Sequence, residues 1–123
     1  MRKRRPAFAA IAAALLALAP CPALAQALST TDYSATVGTV AQQCVPPNGA
    51  RRTLYIENAG TTNSIAYCVA APNGTCTPAL NAAGSSTLAP SVSAFWQSGS
   101  APIGAVYCIA GGSSSPVTIR SAQ

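Results

Sequence analysis

The chain has 123 residues, of which 50% are hydrophobic and only 7% charged, with a formal net charge of +5. His is absent, Lys does not occur after Lys3, and the only acids are Asp32 and Glu57. That inventory excludes most acid–base catalysis and any His-based metal site.

Arg2-Lys3-Arg4-Arg5 is the positive start of a secretory signal, Ala7 to Leu18 its apolar run, and Ala23-Leu24-Ala25 a small-x-small cleavage site. The expectation is a signal helix over residues 1–25, cut between Ala25 and Gln26. A membrane anchor is the rival, but the run falls short of the ~20 residues that span a bilayer, and Pro20 and Pro22 close it. Cys21 after Leu18-Ala19 raises a lipidated cysteine, yet Pro20 stands where such a site takes a small flexible residue. Arg4-Arg5 raises a twin-arginine signal, yet Pro6 and Ala7 follow where that pattern has a polar residue and then Phe-Leu. The layout implies a bacterial protein that is secreted or periplasmic, with no membrane span after cleavage.

Removing the signal leaves Arg51, Arg52 and Arg120 against Asp32 and Glu57. Three arginines cannot make the roughly six to ten phosphate contacts of a duplex binder, so nucleic acid is excluded as a partner. About 100 residues make one domain, and a domain of that size is marginally stable without help. Cys44, Cys68, Cys76 and Cys108, an even set in an exported chain, supply it as two disulfides worth ~2–4 kcal/mol each. Zinc would need cysteines about two to four residues apart, a spacing these four lack.

After a flexible segment, 26–35, a disulfide-stabilised domain is expected over 36–123. Thr36 to Gln43 reads as the first strand, stopped by the Pro46-Pro47-Asn48-Gly49 turn. Arg51 to Asn58 is the clearest strand, with Leu54 and Ile56 on one face and Thr53, Tyr55 and Glu57 on the other. Ser64 to Ala70 alternates next, with Ile65, Tyr67 and Val69 on one side, and Pro72-Asn73-Gly74 turns the chain. Thr87 to Pro90 and Ser91 to Gln97 read as a broken strand pair. Gly104 to Ala110 and Pro116 to Arg120 read as a final hairpin around Gly111-Gly112-Ser113. About six or seven short antiparallel strands and no helix imply an all-β protein, a single small β-sandwich of Ig-like or jelly-roll-like type. Tyr67-Cys68-Val69-Ala70 and Tyr107-Cys108-Ile109-Ala110 echo one another, as two interior strands with the same packing demands would.

Four cysteines allow three pairings. Cys68 and Cys76 flank one loop, which favours Cys68–Cys76 and leaves Cys44–Cys108. The rival joins Cys68 to Cys108 and Cys44 to Cys76.

No catalytic residue and no cofactor are expected: His and, after Lys3, Lys are absent as bases for a nucleophile, Asp32 and Glu57 are the only possible carboxylate pair, and no phosphate loop or calcium loop occurs. Glu57 decorates an exposed strand face, and Asp32 lies outside the domain. Arg51-Arg52 could hold an anion, or could place one Arg in solvent and the other over Tyr55. Asn73-Gly74-Thr75 matches a glycosylation acceptor, but Asn-Gly is also a favoured turn. Phe95 and Trp96 are adjacent and so face opposite ways on a strand; one fills the core and the other is free to meet a sugar or a protein. Trp96, Phe95, Arg51 and Arg52 are the candidate ligand contacts.

The run Pro47 to Asn58, with its turn, Arg pair and aliphatic–x–aliphatic strand ending in Asn, resembles a pattern in small β-sandwich proteins of tailed-phage virions. Thr87-Leu88-Ala89-Pro90 before an aromatic strand and Ala105 to Ala110 extend the likeness over roughly residues 48–120. The resemblance implies a β-sandwich with a non-enzymatic role. The signal and the cysteines depart from it, since virions assemble in a reducing cytoplasm. Function is therefore expected to be that of an exported surface or envelope interaction module with a protein or glycan partner. The alternatives are a pilus or fibre subunit donating Gln26 to Ala41 as a strand, and a carbohydrate-binding module using an exposed aromatic.

Overall fold

The computed structural model describes residues 29–123. The signal segment, Cys21 and the Ala25–Gln26 cleavage site lie outside the described residues. Nine strands and, among the described residues, no helix make up the fold: β1 Thr30–Asp32, β2 Ala35–Val37, β3 Gln42–Val45, β4 Thr53–Asn58, β5 Ile65–Val69, β6 Ser86–Leu88, β7 Ser93–Trp96, β8 Val106–Ala110 and β9 Ser115–Ala122.

Every pairing is antiparallel. Four pairs nest inside one another, β5 with β6, β4 with β7, β3 with β8 and β2 with β9. The chain is thus one long hairpin, bent at the 70–85 segment. Rolling that hairpin brings β4 beside β9 and β5 beside β8. The result is one sheet in the order β1-β9-β4-β7, with β2 also on β9, and a second in the order β3-β8-β5-β6. That is the order of a jelly roll, and it decides between the two sandwich types the sequence left open.

The same topology changes four local assignments. The run expected as one strand over 36–43 is two strands in opposite sheets, crossing at Gly38 to Ala41, where Val40 is 76% exposed. Period-two alternation continues across such a crossing and does not reveal it. The stretches around Thr87 and Ser91 do not pair with each other, since β6 and β7 belong to different sheets. Nor do β8 and β9 form a hairpin: Gly111 to Ser114 connects the sheets. Thr30–Asp32, placed by the sequence in a flexible segment, pairs with Arg120 to Ala122 as part of the first sheet. The break between β1 and β2 is stitched by Ser34, whose Oγ accepts the Ile119 amide at 3.1 Å while Tyr33 donates to the Ile119 carbonyl at 2.9 Å.

The core lies between the sheets. Val37, Leu54, Ile56, Val117 and Ile119 project from the first, and Val45, Ile65, Tyr67, Leu88, Val106 and Cys108 from the second. The buried–half-buried alternation of β4 is the one its sequence implies, and each fully buried aliphatic contributes about 1.5–3 kcal/mol. Gly104 is required by packing, because its Cα faces the Ala70 carbonyl so closely that a methyl there would overlap it.

The cysteine pairs follow from strand faces. Tyr67 is directly opposite Cys108, and Cys68 opposite Tyr107. Directly paired residues share a face and neighbours along a strand do not, so Cys68 and Cys108 point to opposite sides of their sheet and cannot bond. Cys68 is bonded to Cys76, with Cα atoms 6.2 Å apart, around a turn in which the Gly74 amide donates to the Ala71 carbonyl at 2.8 Å. Cys44 is the extra residue of a bulge between Gln43 and Val45, opposite the Val106–Tyr107 step of β8. It lies within hydrogen-bond reach of Cys108, and both are buried. Here the structure departs from the expected pair of disulfides: Cys44 and Cys108 are brought together as free thiols. Their hydrogen bond pushes Cys108 far above the ordinary thiol range, reinforced by burial, and lowers Cys44, the acceptor.

Candidate interaction face

The outward face of the first sheet gathers residues distant in sequence. Register places Asp32 of β1 opposite Arg120 of β9, Arg120 opposite Tyr55 of β4, and Tyr55 opposite Phe95 of β7. One row perpendicular to the strands therefore reads acid, base, aromatic, aromatic. The next row holds Glu57 between Thr118 and Ser93. Asp32, Glu57 and Arg120 thus share this face in a domain with few other charges.

Within the row, the Tyr55 and Phe95 rings are 6.5 Å apart and tilted by 60°, an arrangement aromatic pairs favour. Phe95 is 57% exposed. Tyr55 donates its hydroxyl to Glu57 Oε2 at 2.8 Å, which fixes the ring's tip along its own strand. Asp32 accepts the Ser34 amide at 2.8 Å, and hydrogen bonds to Ser34 hold its carboxyl below the ordinary range, with Arg120 adding a smaller pull in the same direction.

The Tyr55–Glu57 bond predicts a pH effect. Hydrogen bonding to Glu57 raises the Tyr55 phenol above its ordinary value, with burial adding to it. A folded-state value above the unfolded one stabilises the fold fully below about pH 10, and that stability is lost as pH rises through the folded value. In a 295 nm difference titration against Tyr55→Phe, Tyr55 is expected to ionise above pH 10. Glu57→Gln is expected to bring it back toward its ordinary value.

The four candidate contacts separate cleanly. Phe95 is on this face. Trp96, its neighbour, turns inward and meets Tyr67 edge-on at 5.7 Å and 87°, so it joins the two sheets and offers a ligand little. Arg51 is 5% exposed, and both terminal nitrogens of its guanidinium are spent on backbone: Nη1 donates to the carbonyls of Pro102 and Gly104 at 2.5 and 3.1 Å, and Nη2 to Pro46 at 2.6 Å, while Nε is buried without a partner. It corrects the expectation of an anion contact, and burial lowers the pKa of the caged cation. Arg52 is exposed at the entry to β4. The arginine opposite Tyr55 is Arg120, not Arg51 or Arg52.

Sequence alternation puts Tyr55 and Glu57 on an outer face. The addition of Arg120 and Asp32 depends on β9 lying between β1 and β4, for which no local signal exists. Among the described residues no three His, Cys, Asp or Glu side chains cluster to hold a metal, and no helix is long and apolar enough to cross a membrane. Comparison with family models, with curated proteins and with solved structures returns no match.

Proposed function

We propose that the protein is an exported, non-enzymatic interaction module that meets a glycan or protein partner with the outer face of its first sheet. The observation that carries this is the Tyr55–Phe95 ring pair, with Phe95 more than half exposed and Asp32, Glu57 and Arg120 around it. An aromatic pair rimmed by charged groups has the composition of an interface patch, where aromatic and Arg side chains are enriched. The Cys68–Cys76 bond supports an oxidising compartment.

The test is a glycan array probed with the mature protein and with Phe95→Ala. The substitution is expected to weaken binding at least about tenfold, the size of a modest hot spot. Equal binding by Phe95→Ala would remove the face, and no binding by wild type would remove the glycan.

The jelly-roll order favours a second reading over the donated-strand fibre. Jelly rolls are common in viral capsid and lectin domains, which agrees with the resemblance to tailed-phage virion proteins. The fibre reading needs Gln26 to Ala41 free to leave, whereas Thr30–Asp32 and Ala35–Val37 are paired to β9 of their own chain. Phage structural genes beside this one would favour the virion reading, and secretion genes the envelope module.

A further inference from the structure

At one end of the sandwich, the β4–β5 loop and the β8–β9 connection enclose a cleft of about 310 Å3. Its walls carry Thr61, Thr62 and Asn63 on one side and Ser113, Ser114 and Ser115 on the other. Each of these side chains is a neutral hydroxyl or amide, and no ionisable residue lines the space. This makes it chemically unlike the aromatic and charged face.

The cleft is built rather than incidental. Asn58, fully buried at the end of β4, accepts the Gly60 amide at 3.0 Å and donates to the carbonyls of Asn63 and Leu88 at 2.8 and 3.0 Å. One side chain thereby fixes both ends of the Thr61–Thr62 wall. The Ala59 amide donates to the Pro116 carbonyl at 3.1 Å, and Gly111 to Ser64 at 2.9 Å, which locks one wall to the other. The Asn63 amide group lies so close to Gly112 that a methyl on that residue would collide with it. In the opposite wall Ser114 holds a left-handed φ of 59°, a conformation non-glycine residues seldom adopt. Strained backbone that persists marks a place where position matters.

We infer that this cleft binds a small, uncharged, hydroxyl-rich molecule, a terminal sugar residue being the chemical class that fits. Hydroxyls and amides both donate and accept, as a sugar requires. The lack of a cationic or anionic group disfavours phosphates, carboxylates and cations, and the polar lining disfavours lipid. The volume lies at the small end of ligand sites, room for one sugar residue rather than a chain. This site stands apart from the proposed face and does not depend on it.

The experiment is a titration of the 15N-labelled mature protein with the methyl glycosides of glucose, galactose, mannose and N-acetylglucosamine, followed by amide shifts. At least one is expected to give saturable shifts confined to residues 59–64 and 111–116, with a Kd in the millimolar range. Ser113→Ala, at an exposed position of the opposite wall, is expected to weaken that binding at least about fivefold while leaving the thermal midpoint unchanged. Thr62→Ala, at an exposed position, is expected to weaken binding without touching the fold. No saturable shift from any of the four glycosides would overturn the inference, as would equal binding by both variants. Shifts centred on Tyr55 and Phe95 would overturn it too, while supporting the face described above.

Discussion

Arg51→Met is expected to lower the unfolding free energy by about 3–5 kcal/mol, the size of an effect that leaves buried partners of a charged group unsatisfied. The guanidinium binds carbonyls from two loops, Pro46 on one side and Pro102 and Gly104 on the other. Methionine keeps much of the stem and removes every donor, so three carbonyls lose their partner. Gly104 sits against the Ala70 carbonyl with no room to relax toward a new one. Arg51→Lys retains the charge, but an ammonium cannot reproduce a planar fork that reaches both loops, so it is expected to recover less than half of the loss. Urea unfolding of the three proteins measures this directly. A change below about 1 kcal/mol for Arg51→Met would mean the cage is dispensable.

The second large effect concerns Cys44 and Cys108. In an oxidising compartment the two thiols, buried and in hydrogen-bond reach, are expected to join as a second disulfide. That bond would close the chain from residue 44 to residue 108, nearly the whole sandwich, and the loop-entropy relation gives about 4 kcal/mol for a loop of that size. The Cys68–Cys76 bond, at a sequence separation of 8, gives about 2.5 kcal/mol by the same relation. Oxidised protein is expected to melt on the order of 15–25 °C above the volume-conserving Cys44→Ala/Cys108→Val variant. A non-reducing peptide map should contain a Cys44–Cys108 crosslink. Two titratable thiols per chain in the oxidised, unfolded protein would show that the pair stays reduced.

Where a property depends on which side of a strand a residue takes, sequence and structure agree. Leu54 and Ile56 point inward and Tyr55 and Glu57 outward because successive side chains alternate whatever the strand pairs with. The Cys68–Cys76 pairing was also legible, since a short loop holds both ends near each other. Phe95 and Trp96 show the limit of that logic. Alternation requires them to face opposite ways, but only the approach of Tyr67 from the other sheet makes Trp96 the inner one. Arg51 shows it more sharply. Its neighbour Arg52 has the same side chain one position on, and the difference between a buried cage and an exposed cation lies in loops at Pro46 and Pro102 that close over one of them.

The charge with which the sequence opens, the strand faces and the loop-closing disulfide were therefore determined by the sequence alone, because each rests on composition or on contacts between near neighbours. Strand partners were not. Hydrogen bonds between strands are made by backbone groups that every residue carries, so local sequence does not name the partner. The nested pairing of β2 to β9 through β5 to β6 is settled only when the hairpin rolls and both sheets bury a common core. That closure splits the 36–43 run between two sheets, sets Asp32, Arg120, Tyr55 and Phe95 in one row, and draws the loops after β4 and β8 together around a polar cleft.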